Sequence, residues 1–197
     1  MAKVGVDLYI DAGPALAMLD EAQKLLSPEK AKTLLHDTLV DTSRKAKTIV
    51  SDCVVQDYTV PKGWAADQVG FPQVSYGTGL SVWIPIRGAR GGIGQIYPIA
   101  DAGGGKRKRR IRANIVQGKT SVLPKTMDHQ GGNPPFVGKG MVFTRKTKAR
   151  YPIVRVVGLG VPQMPLNRSQ KKIEDALEAE IAKSASRHFG RLFGGNA

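Results

Sequence analysis

The sequence predicts an α+β fold: an N-terminal strand and helices, an antiparallel β-sheet with a basic loop insertion, and a C-terminal amphipathic helix. Three observations carry this. Val4, Val6, Leu8 and Ile10 alternate with Gly5, Asp7 and Tyr9, the period of a half-buried strand. Two long stretches, about 28–54 and 168–193, repeat apolar residues at three- and four-residue spacing, the period of an amphipathic helix. The chain holds 23 glycines and 12 prolines, more breakers than a helical bundle needs, so turns and strands must lie between the helices.

In chain order, residues 3–10 form the strand, which Gly13-Pro14 ends. Pro14 suits the first turn of a short helix over about 15–26. Ser27-Pro28-Glu29 then starts a long helix: a capping serine, proline at the first position and an acid at the positive end of the dipole. Leu35, Leu39, Ala46, Ile49, Val50 and Cys53 form its inner stripe, and Asp37, Asp41, Arg44, Lys45 and Lys47 its wet side. Tyr58 to Trp64 reads as a turn with anchoring aromatics. Residues 80–86 read as a strand, 88–94 as a turn, and Gln95–Ile99 as a returning strand. Residues 100–135, rich in Gly, Pro and cations, read as a loop or arm on a single domain spanning 1–197. Phe136–Phe143 and Tyr151–Val157 read as two further strands joined by a basic turn, Thr144–Arg150. Gly160 to Pro165 reads as a stiff extended link. The last helix takes Asn167 as its cap and Ile173, Leu177 and Ile181 as its packing stripe, continued by Ala185, Phe189 and Leu192; Gly194-Gly195 stops it.

Charge is distributed unevenly. Up to Ala100, ten basic residues balance ten acidic ones. From Asp101 to Arg155, fourteen basic residues face only Asp101 and Asp128. Beyond that, six face four. Of the formal net charge of +14, the central segment therefore holds nearly all. Solubility does not require such clustering, whereas meeting a polyanion or an acidic protein surface does. The single cysteine, Cys53, cannot form an internal disulfide and fits a reducing compartment; on an inner helical stripe it reads as core. The first residues do not read as a secretory signal, and no apolar run nears the roughly 20 residues that span a bilayer. A soluble protein made in the cytoplasm, with no membrane partner, is expected.

Catalytic patterns are hard to find. His36, His129 and His188 have no metal-ligand spacing. Gly118-Lys119-Thr120 resembles the end of a phosphate-binding loop, but Ala113 stands where the first glycine is needed, and Ile115 and Val116 suit a strand. Gly77 and Gly79 are followed by Val82 where a dinucleotide fingerprint needs glycine. Two carboxylates in the central segment fall short of a two-metal nuclease. No cofactor is expected, and the protein reads as not an enzyme. The remaining candidates are Lys106, Arg107, Lys108, Arg109, Arg110 and Arg112. They can hold phosphates by charge without reading sequence, and no aromatics interleave them to stack bases.

Lys148-Ala149-Arg150-Tyr151-Pro152-Ile153, then Val156, Gly160-Val161-Pro162 and the closing helix, resemble the minor tail protein Z (tail completion) family of lambda-like phages. Pro135-Phe136-Val137 followed by Met141-Val142-Phe143-Thr144-Arg145 is similar to that family's hairpin. The basic stretch at 106–112, the Leu39–Val50 helix and Tyr58-Thr59-Val60-Pro61 also have counterparts there. The resemblance covers 135–192 most fully; Gly103–Gly105 and Asp128–Pro135 depart from the pattern. It implies a structural virion protein at the head-proximal end of a tail, at the head–tail junction. Its expected partners are further copies of itself in a ring, a hexamer by tail symmetry; a tail terminator or tail tube protein; a head–tail connector or stopper; and genomic DNA in the lumen, held without sequence specificity. Within this reading, residues 106–112 face DNA or an acidic neighbour. A tail terminator, a head–tail adaptor or stopper, a nucleic-acid-binding protein outside any virion, and a nuclease are the competing readings.

Overall fold

A computed structural model describes residues 4–11, 27–76, 80–101, 110–123, 134–147 and 149–193. The expected α+β architecture is present: among the described residues, two long helices lie with three small antiparallel sheets. The helix expected over 15–26, His129 and the Gly194-Gly195 stop lie outside the described residues.

The first sheet is made by β1 (Val4–Asp11), β2 (Gln73–Tyr76) and β3 (Leu80–Gly88), in the order β1-β3-β2. The alternation in β1 sets its register: Val6 lies opposite Ile86 and Leu8 opposite Ile84, and both isoleucines are fully buried. The long helix, α1 (Pro28–Asp57), begins where Ser27-Pro28 places it. Ser27 holds the N-cap position, but its side chain makes no capping hydrogen bond; its carbonyl accepts the first intrahelical bond, from Ala31 N at 3.1 Å. Leu39, Ala46, Val50 and Cys53 are buried as expected, and Leu35 and Ile49 are half-buried. Thr38 and Thr42 join them in the interior, each donating its hydroxyl to the carbonyl four residues back, at 2.8 and 2.9 Å. Such back-bonding lets a threonine enter an apolar interface with its hydroxyl satisfied.

After Tyr58 the chain does more than turn. Lys62–Asp67 forms a short helix, α2, seated on buried Ala65, with Tyr58 buried and Trp64 half-buried. The returning strand expected over Gln95–Ile99 is displaced. Residues 92–97 make a tight turn, in which Ile96 N donates to Gly92 O at 2.9 Å, and the strand proper, β4, is Ile99–Asp101.

The expected loop or arm over 100–135 needs correction. Within it, β5 (Arg112–Val116) and β6 (Lys119–Val122) form a hairpin on β4. Buried Ile111, Ala113 and Leu123 fix it to the core. Backbone bonds from Thr59 N to Ile115 O, 3.0 Å, and from Gln117 N to Asp57 O, 2.9 Å, tie it to the end of α1.

The stretch Phe136–Phe143 is two strands, β7 (Phe136–Gly138) and β8 (Met141–Arg145), turned at Lys139-Gly140. Both turn residues have positive φ, 49° and 74°, as a two-residue hairpin of right-handed twist requires. The strand expected over Tyr151–Val157 contracts to β9 (Ile153–Arg155), which pairs with β8. The link at 160–165 is not extended. Gln163 N and Met164 N bond back three residues, and Pro165–Ser169 winds as a π-helical turn into α3 (Gln170–Phe193). Asn167 lies inside that turn rather than capping a helix.

Helix α3 runs antiparallel to α1. Lys172 reaches Asp57 at 2.5 Å, Lys45 reaches Glu180 at 2.5 Å, and Arg187 and His188 meet Asp41. Ile173, Leu177 and Ile181 are buried in one cluster that also holds Leu39, Val50, Ile84, Ala113 and Val142. They are core residues within a single chain. Leu192, expected on the same stripe, is 44% exposed. Among the described residues, no helix is long and apolar enough to cross a membrane.

Candidate nucleic-acid interface

The basic run lies between β4 and β5. Lys106, Arg107, Lys108 and Arg109 are outside the described residues, on the chain that joins these two paired strands. Arg110 and Arg112 are both exposed, while Ile111 and Ala113 between and after them are buried. The end of the run thus obeys the period of two: the guanidinium groups face out and the apolar residues pin them to the core. Arg110 and Arg112, with Asp101 and Val122, line a shallow concavity of about 290 Å³. Asp101 is the register partner of Arg112, so one carboxylate sits among the cations. On the same sheet Thr120 donates its hydroxyl to Asn114 Oδ1 at 2.9 Å, and Lys119 is exposed. This surface can hold an anion by charge and hydrogen bonding. Of the run, the structure brings Arg110 and Arg112 together.

Sequence reasoning passed over a second basic surface, on β7–β8–β9. The registers put Phe136, Phe143 and Arg155 in one row and Arg145 and Ile153 in the next, all on one face. Val142, on the opposite face, is fully buried. On the outward face the Phe136 and Phe143 rings lie 6.1 Å apart, with the Arg145 guanidinium 5.5 Å from the Phe136 ring centre. At the neighbouring edge Arg150 stands 5.8 Å from the ring of Tyr151, which is 66% exposed. Lys146 is exposed beside them, and Arg155 is held inward by Gln95 Oε1. One sequence signal was available: from His129 to Ile173 no Asp or Glu occurs.

The other titratable groups have structural partners. His188 Nε2 lies 2.9 Å from Asp41, joining α3 to α1. That hydrogen bond, with the charges of Arg187 and Arg44, outweighs burial and holds the Asp41 carboxyl below its usual range. Burial of Asp57 would raise its pKa, but hydrogen bonds from Lys172 and Ser169 more than offset this and hold it low. Burial pushes the Cys53 thiol up, toward the unreactive protonated form. Burial does the same to Tyr97, whose hydroxyl donates to Leu159 O at 2.6 Å. His36 is exposed beside Asp37. Among the described residues, no group of three His, Cys, Asp or Glu is placed to hold a metal ion. Comparison with family models, with curated proteins and with solved structures finds no match to this chain.

Proposed function

We propose that this chain is a structural virion protein of the tail-completion kind, acting by assembly rather than by catalysis. Copies of it form a six-membered ring at the head-proximal end of a tail, between a tail terminator or tube below and a connector or stopper above. The basic segment faces the lumen that carries the genome. The observation that carries the reading is the division of charge. Across the α1–α3 side cations and carboxylates pair with one another. The excess is gathered on the β4–β5 connection and the strands after it. A ring of such chains would present a positive belt to DNA and a neutral flank to its neighbours. The resemblance to the minor tail protein Z family supports the same reading, because its quoted residues form consecutive elements: the β7–β8 hairpin, β9, the 160–165 link and α3.

Cryo-electron microscopy of assembled particles tests it. The expected result is a ring of this chain between tail tube and neck, with residues 106–112 toward the lumen. Reversing four charges within 106–110 should leave the fold intact and stop infectious particles from forming. Absence of the chain from particles overturns the assignment, and normal titres from the charge-reversed variant overturn the lumen-facing role.

A further inference from the structure

We propose that the outer face of the β1-β3-β2 sheet pairs with the same face of a second copy of this chain, Phe71 of each entering a recess on the other. Ile84 and Ile86 of β3 are fully buried, so Trp83, Pro85 and Arg87 alternate onto the opposite face. There they join Asp67 and Gln68, at the end of α2, around a recess of about 320 Å³. Gly70 and Gln73 line the same recess, and Phe71 stands between them in the chain, at its rim. Phe71 is 91% exposed, more than any other large apolar side chain among the described residues. Backbone holds it there. Gly70 N donates to Pro85 O at 2.7 Å on one side, Gln73 pairs with Trp83 on the other, and Pro72 restricts the short stretch between them. A ring presented on so short a tether gives up little freedom on docking, and aromatics are enriched at the centres of interfaces.

The chemistry of the patch selects its occupant. A surface that meets itself across a two-fold axis must carry both halves of every complementary pair. This one carries an apolar knob, Phe71, beside a recess walled by Trp83 and Pro85, and a carboxylate, Asp67, with a guanidinium, Arg87. Both charged residues are exposed, and neither is ion-paired among the described residues, so each can meet its opposite on a second copy. The lining residues sum to no net charge, which gives a polyanion nothing to hold. In the wall, Trp83 Nε1 and Gln68 Oε1 are buried without hydrogen-bond partners, so one chain alone leaves the recess unsatisfied.

The inference stands apart from the tail reading, which concerns assembled particles, because its test needs only the purified full chain. Sedimentation equilibrium over a concentration series measures the mass in solution. The parent should approach twice the chain's 21.2 kDa. Phe71→Ala should raise the dimer dissociation constant roughly 30-fold or more, the loss that marks a central interface residue. Its circular dichroism should match the parent's, because the side chain is exposed. Asp67→Arg and Arg87→Asp should each weaken pairing by setting like charges opposite one another across the axis. Mixed in equal parts, these two variants should pair again, since each altered charge then faces its opposite. A parent that stays monomeric, a limiting mass other than two chains, or undiminished pairing by Phe71→Ala overturns the proposal. A mixture of the two charge variants that pairs no better than either alone overturns the two-fold arrangement.

Discussion

Leu177 is wholly buried between α3 and the rest of the core. Truncating it removes contacts that surrounding strands and helices cannot close over. Leu177→Ala should therefore cost about 2–5 kcal/mol, read as a lower urea midpoint at unchanged slope. Leu192, two-fifths exposed at the far end of the same helix, should lose less than about 1 kcal/mol on the same change. Asp41 gives a pH-dependent counterpart. Its folded pKa lies below the ordinary 3.8, so the stabilisation from His188, Arg187 and Arg44 is present above that pH and is lost as pH falls through the folded value. Melting temperatures of the parent and Asp41→Asn should differ at about pH 5 and converge below 3.8. A gap that persists unchanged to about pH 2 would show that the carboxylate charge is not what holds the two helices there.

Turns decide the elements, and two glycines with positive φ separate strain from crowding. Gly118, φ 67°, has open space where a Cβ would go, so Gly118→Ala should cost only the left-handed backbone penalty, about 1–2 kcal/mol. Gly94, φ 89°, has the Gly140 carbonyl and Met141 Cα against that position. Gly94→Ala should cost about 3–5 kcal/mol, strain and overpacking together; equal losses at the two sites would refute the distinction. These turns also mark where the sequence was legible. The long helices were clear because apolar period, Ser27-Pro28 and stripe residues all agree over many turns. Strands β5 and β6 were obscured because the cations of 106–112 dominate the composition while buried Ile111 and Ala113 are single residues among them. Periodicity alone read the β7–β8 hairpin as one strand, because its turn, Lys139-Gly140, looks like ordinary alternation; the family resemblance, in contrast, implies a hairpin at these residues, and the structure has one. The link at 160–165 read as extended from its prolines, yet Pro165 takes a place where a helical turn needs no N–H. Exposure of Arg110 and Arg112 followed from sequence. The Phe136–Arg145 contact did not, because its partners are nine positions apart and meet only after the chain reverses.

On the scale of the whole molecule, one buried cluster links α1, α3 and residues from all three sheets. None of these layers has an apolar interior of its own large enough to stand alone. Unfolding should therefore be a single transition, with far-ultraviolet circular dichroism and the fluorescence of Trp64 and Trp83 following one urea curve. Separate midpoints would mean that the β1-β3-β2 sheet melts apart from the helices. The pairing of α1 with α3 also orders events in time. Ser169 meets Asp57 across 112 residues of sequence, so the inner stripe of α1 must wait for most of the chain to be translated before its partner arrives. At ribosomal speeds of about 5–20 residues per second, that wait lasts several seconds to some twenty. A nascent chain holds an uncovered greasy helix throughout that interval and needs a chaperone or a fast-forming first sheet to shield it. Chains interrupted before α3 keep that surface bare, which marks them for proteolysis before they can enter any assembly.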